Sequence, residues 1–100
     1  MPCVAEFPQL ERLKEREKEL GFRFFGLEVK GYLDMTREAA KDKGATFTIL
    51  LDDRRWARDT LQIPGTPTTF VVDGEGRIRS RLVGAAHDID SIIAEILSRI

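Results

Sequence analysis

Cys3 is the side chain best equipped for chemistry, and it is the single cysteine among 100 residues. A thiolate attacks a disulfide and forms a mixed disulfide. A second thiol close by is then needed to release the product. With one sulfur the reaction stops at the mixed disulfide, formed with glutathione, with a partner protein or with a second copy of the chain. Cys3 stands where a charged, amphipathic segment begins, and the first turn of a helix there favours the thiolate through the helix dipole. The plainer reading is an unreactive free thiol packed near the chain start. Glu6, three residues on, reads as a first-turn carboxylate that suits the same dipole.

Other polar groups have simpler roles. Asp52 and Asp53 could form an acid pair, but a loop and cap role before a short helix is the better reading. His87, the single histidine, precedes the last helix with no cysteine or serine near it, which marks a solvent-exposed pre-cap residue. One cysteine and one histidine exclude an intramolecular disulfide and any metal site built from clusters of the two. No cofactor is expected. Thr66-Pro67, ahead of a β-run, has a physical reason to be cis, because the turn presents backbone polar groups at the end of a sheet.

The elements that must position these groups alternate along the chain. Val4, Phe7, Leu10, Leu13 and Leu20 recur at helical spacing among many charges, and Gly21 closes that helix. Pro8 lies one turn in and is expected to kink it. Phe22 to Val29 is an apolar run read as a buried strand. A short helix over Leu33 to Lys43, with Ala39 and Ala40 on its buried side, ends at Gly44. Thr46 to Leu51 is a second buried strand, followed by a short helix around Trp56 to Leu61 with Trp56 in the core.

Ile63-Pro64-Gly65-Thr66-Pro67 is a rigid, non-helical turn. A strand over Thr68 to Val72 follows, and then a hairpin turn at Asp73-Gly74-Glu75-Gly76. The return strand runs from Arg77 to Val83 with Ile78 and Leu82 on one face. Gly74 and Gly76 lack the third glycine and the strand-to-helix context of a phosphate loop. Asp88 caps a last helix with Ile89, Ile92, Ile93, Ile96, Leu97 and Ile100 in one apolar stripe. Arg54, Arg55 and Arg58 read as a solvated face, and Arg77, Arg79 and Arg81 as a charged guard on an edge strand. The order α-β-α-β-α-β-β-α describes one α/β layered domain over residues 1–100.

Hydrophobic residues make up 42% of the chain and the net charge is −1. That composition supports a packed core. It argues against nucleic acid or an anionic membrane as the main partner. No apolar run is long enough to span a bilayer, and Met1-Pro2-Cys3 does not open like a signal peptide. The chain as written is therefore expected in the cytoplasm.

Pro2-Cys3-Val4-Ala5-Glu6-Phe7-Pro8 resembles the second half of the active-site motif of TlpA-like redoxins, thioredoxin-fold thiol–disulfide oxidoreductases related to the peroxiredoxins. Their pattern is Cys-x-Pro-Cys, followed shortly by Glu-Phe-Pro. Ile63 to Phe70 resembles the family segment that carries a cis-proline facing the cysteines, here Pro67. Gly44 to Asp52 resembles the extra strand that redoxins insert, and Asp73 to Ile78 their closing hairpin.

The resemblance implies a mixed thioredoxin-like sheet flanked by helices. It also implies a proton-moving role for Glu6, and a groove at Thr66 and Pro67 whose backbone pairs with an extended substrate segment. Family members often work outside the cytoplasm.

The departures are as informative. The nucleophilic cysteine of the family falls just before Met1, so Cys3 matches the second, resolving position. The strand that precedes the motif is absent too, and in the family it lies between the strands matching Phe22–Val29 and Thr68–Val72. An open slot there exposes backbone groups, and each one buried without a partner costs about 1–3 kcal/mol. A second copy could complete the sheet, the strands could close up and pair in a new order, or the true product could be longer; of these a homodimer with shared or abutting sheets is the expectation.

Three readings stand. One is a redoxin whose dithiol exchange is lost or weak, with a protein thiol or disulfide as partner. Another is a redox-inert binding or dimerisation module on the thioredoxin fold. The last is a fragment of a longer, active oxidoreductase. Whether this chain is itself an enzyme is open between them.

Overall fold

A computed structural model describes residues 6–100. The Cys3 readings lie outside the described residues, as do those for Val4. Helix α1 (Phe7–Glu15) turns Phe7 and Leu13 inward, and Leu13 is 2% exposed. Pro8 falls in the first turn of the described helix, where a missing N–H costs nothing. The turn ahead of Pro8, where a kink would show, lies outside the described residues; a break does come at Arg16, whose backbone leaves the helical region at φ −93°, ψ 9°. A further turn, α2 (Glu17–Leu20), stops at Gly21. Gly21 takes φ +73°, and the amides of Gly21 and Phe22 both donate to the Glu17 carbonyl, at 2.8 and 3.1 Å. That is the left-handed stop a glycine permits.

Strand β1 (Phe25–Glu28) pairs in parallel with β2 (Thr48–Leu51), with Phe25 opposite Thr48 and Glu28 opposite Leu51. Between them α3 (Leu33–Asp42) buries Thr36 and Ala40. Both strands are shorter than expected because side chains claim the amides at their approaches. The Phe24 amide donates to the Glu17 carboxylate at 2.6 Å, and the Thr46 amide to Glu11 at 2.7 Å. Gly26 lets the pair close: a Cβ there would stand 3.1 Å from the Phe47 ring. Phe47 also meets Phe7 and Phe24 edge-on, with centroids 5.4 and 5.0 Å apart.

After the single turn α4 (Trp56–Asp59), strands β3 (Thr68–Val72) and β4 (Ile78–Val83) form an antiparallel hairpin. The Asp73 carboxylate receives the amides of Glu75 and Arg77, each at 2.9 Å, and fixes the turn between them. The register shifts between Val71 and Val72. That shift breaks the expected common face: Leu82 packs inward while Ile78 is 51% exposed. Helix α5 (Ile89–Leu97) buries Ile89 and Ile93, but the chain leaves the helix before Ile100, which is 47% exposed. Asp88 holds the N-cap position without a side-chain cap bond.

Phe7, Ala40, Phe47 and Ile49 form one core cluster, and Leu13, Val71, Ile89 and Ile93 another. Leu10 and Phe24 pack against both and join them. The fold is mixed α/β, as expected, but its sheet comes in halves. Among the described residues β1–β2 is one two-stranded sheet and β3–β4 another, and no strand bonds β1 to β3. On the face opposite Ile49, Phe25, Leu27 and Leu50 are 52%, 38% and 47% exposed. No helix among the described residues is long and apolar enough to cross a membrane.

Candidate functional site

The turn into β3 is shaped from several directions. Gln62 takes φ +54°, and the Ile63 amide donates to the Ala57 carbonyl at 3.1 Å. The Thr66–Pro67 peptide bond is cis. The Thr68 hydroxyl donates back to the Gly65 carbonyl at 2.7 Å. Proline has no amide to give the ladder, and its carbonyl instead accepts the Gly84 amide at 2.9 Å. Thr66 and Pro67 are half-buried.

From Gly84 the chain reaches Ala86, whose amide donates to Glu6 Oε1 at 3.4 Å. One short segment, Gly84–Ala86, thus links Pro67 on one side to Glu6 on the other. Glu6 is 8% exposed, and its Oε2 has no hydrogen-bond partner among the described residues. Burial pushes this carboxyl above its ordinary value, and the Ala86 bond only partly offsets that. Glu6 occupies the N-cap of α1 yet makes no side-chain cap bond. The carboxyl therefore faces the interior instead of serving the dipole, as the plainer reading of the sequence had it.

Gln9, one turn further along α1, likewise has a buried Oε1 without a partner among the described residues. No sequence signal marked Glu6 as buried, because its contact lies 80 residues away.

Beside Thr66 lies an open cleft of about 260 Å³, walled by Val29, Lys30, Arg55, Arg58 and the Ile63–Thr66 turn. Asp52 also lines it, and its carboxylate accepts the amides of Trp56 at 2.9 Å and Ala57 at 2.8 Å. The Ala57 bond is the main cause holding Asp52 below its ordinary value. The cap role expected of Asp52 is what the structure shows. Trp56, expected in the core, is 51% exposed, because the turn directs Ala57 inward in its place. Arg54, Arg55 and Arg58 are exposed, as expected of a solvated face, and Arg55 and Arg58 also line the cleft. His87 is exposed, as expected. No group of three His, Cys, Asp or Glu residues gathers as a metal set among the described residues.

A family model described as Redoxin matches residues 2–97. The chain belongs to the Redoxin family. The redoxin is 31% identical over 87 residues to the thiol:disulfide interchange protein DsbE of Haemophilus influenzae, covering 86% of this chain and 46% of that protein. It is 26% identical over 97 residues to the thiol-disulfide oxidoreductase ResA of Bacillus subtilis, covering 92% and 54%. It thus spans about half the length of these curated relatives. Among solved structures, StoA of Bacillus subtilis superposes with a TM-score of 0.78 at 19% identity, covering 95% of this chain and 72% of that one. At that identity the likeness speaks for the fold alone. The redoxin is therefore a thioredoxin-like domain related to thiol–disulfide oxidoreductases.

Proposed function

We propose that this redoxin docks extended protein segments carrying a thiol or disulfide along Thr66 and Pro67, beside the Glu6 carboxyl, and that its own dithiol turnover is lost or weak. The observation that carries the reading is the link from Pro67 through Gly84–Ala86 to a buried acid with an unpartnered oxygen. A carboxyl whose proton is retained to higher pH is suited to move a proton to or from a sulfur nearby. Cys3 is three residues away in sequence and is the one sulfur this chain offers for exchange. A Cys3 thiolate that attacks a disulfide forms one new S–S bond and expels the partner's other sulfur as a thiolate. Release of the mixed disulfide then requires an external thiol.

Insulin reduction by dithiothreitol, with Cys3→Ser as control, tests this. The expected result is no turnover above the uncatalysed rate in either protein. Stoichiometric capture of a peptide disulfide occurs only where Cys3 is present. Cys3-dependent turnover would contradict the loss of dithiol activity. A longer protein with a second cysteine ahead of Met1 would be an ordinary oxidoreductase, and the coding sequence upstream distinguishes that case.

A second reading, a dimerisation module, is favoured by the divided sheet. β1 and β3 each have one edge unbonded among the described residues, and Phe25, Leu27 and Leu50 leave an apolar face beside β1 open. Free edges with apolar flanks are templates for pairing with a second copy. Size-exclusion chromatography with light scattering is expected to show a dimer, and a clean monomer at high concentration would overturn this reading.

A further inference from the structure

The cleft beside Thr66 carries an imbalance of charge. Lys30, Arg55 and Arg58 face it, against one lining carboxylate, Asp52. Asp52 is already committed to the amides of Trp56 and Ala57. Arg58 gives its Nε to Asp59 at 2.9 Å, which leaves its terminal nitrogens available. Lys30 and Arg55 have no ion-pair partner among the described residues. Arg55 is held at φ +54°, a left-handed backbone that arginine adopts only when its surroundings impose it. Gly65 and Thr66 lie on the same wall. Cofactor and drug-sized ligands occupy roughly 300–1,000 Å³. The open cleft holds about 260 Å³, enough to admit a carboxylate side chain.

We propose that Lys30, Arg55 and Arg58 form a subsite for a carboxylate side chain on the extended protein segment that docks at Thr66–Pro67, so that the preferred partner is acidic next to its docked stretch. This rests on the docking reading above and adds to it the chemistry of the partner. Arginine suits the role because its planar fork can grip a carboxylate with paired bonds.

The test uses the full chain and fluorescein-labelled extended hexapeptides in which one Glu is moved through each position, each matched to its Gln counterpart. Anisotropy should show, for one register, about tenfold tighter binding of the Glu peptide, the worth of a charge-assisted bond. Arg55→Asn, which keeps the left-handed backbone accessible, and Arg58→Gln should each reduce that preference while leaving the Gln peptide's affinity alone. Equal binding of Glu and Gln peptides in every register overturns the subsite and leaves the groove standing. A preference that survives both substitutions also overturns it. No binding of either peptide overturns the groove and the subsite together. Saturation of the cleft by inorganic phosphate below the peptide concentration would reassign it to free anions and overturn the peptide carboxylate.

Discussion

Glu6 and Glu28 are glutamates of almost equal burial, 8% and 9% exposed, in opposite electrostatic situations. Glu28, at the end of β1, is desolvated too. Its carboxylate nevertheless receives the Thr36 hydroxyl and the Lys30 amide, the latter at 2.7 Å, and the Tyr32 amide also supports it. Those bonds outweigh the burial and hold its carboxyl below the ordinary value. Glu6 has a single long bond from Ala86 and an unpartnered oxygen, so burial prevails and its carboxyl is held above that value. Equal burial therefore does not mean equal roles. Glu28 is bound into the β1–α3 connection by its hydrogen bonds, whereas Glu6 is left buried with one oxygen unpartnered among the described residues.

The largest expected effect comes from dismantling the satisfied site. Glu28→Ala strands the Thr36 hydroxyl and the Lys30 amide and should cost about 2–3 kcal/mol in urea unfolding. A loss no greater than that of an exposed substitution would erase the contrast. Thr36→Val removes one donor from the same carboxylate and should cost about 1–2 kcal/mol.

Glu6→Gln acts in the opposite direction. It removes a buried charge while keeping an acceptor for Ala86, and should leave the protein up to about 1 kcal/mol more stable at pH 7. The sign follows from linkage. With its carboxyl raised in the fold, Glu6 contributes fully below its unfolded value and loses that contribution as pH rises through the folded one. The advantage of Glu6→Gln should therefore vanish at pH 4. For Glu28, lowered in the fold, stability is present above the unfolded value and lost as pH falls through the folded one. Smallest in global stability is Asp52→Ala. It should speed amide exchange at Trp56 and Ala57 while leaving the unfolding midpoint nearly unchanged.

Much of this arrangement is legible in the sequence where the signals are local. Gly21 stops its helix, Asp73 to Gly76 make the hairpin turn, and Thr68 to Val72 form a strand at the expected bounds. The strands begin later than the apolar runs at Phe22 and Thr46 because Glu17 and Glu11, on α2 and α1, take the amides of Phe24 and Thr46. An apolar run does not reveal such a competitor. Trp56 looks like core by type, but a single turn between Asp52 and Thr60 can face only one residue inward, and that residue is Ala57. The contact of Glu6 lies on a segment 80 residues away, and the cleft depends on Val29 and Lys30, just past β1, standing across from the Ile63–Thr66 turn. Neither is a property of local sequence.

Carboxyl-carbon NMR titration reads the contrast between the two glutamates without any substitution. Glu6 should titrate above the ordinary 4.5 and Glu28 below it. A Glu6 midpoint at or below 4.5 would contradict this, because burial would then not dominate its carboxyl.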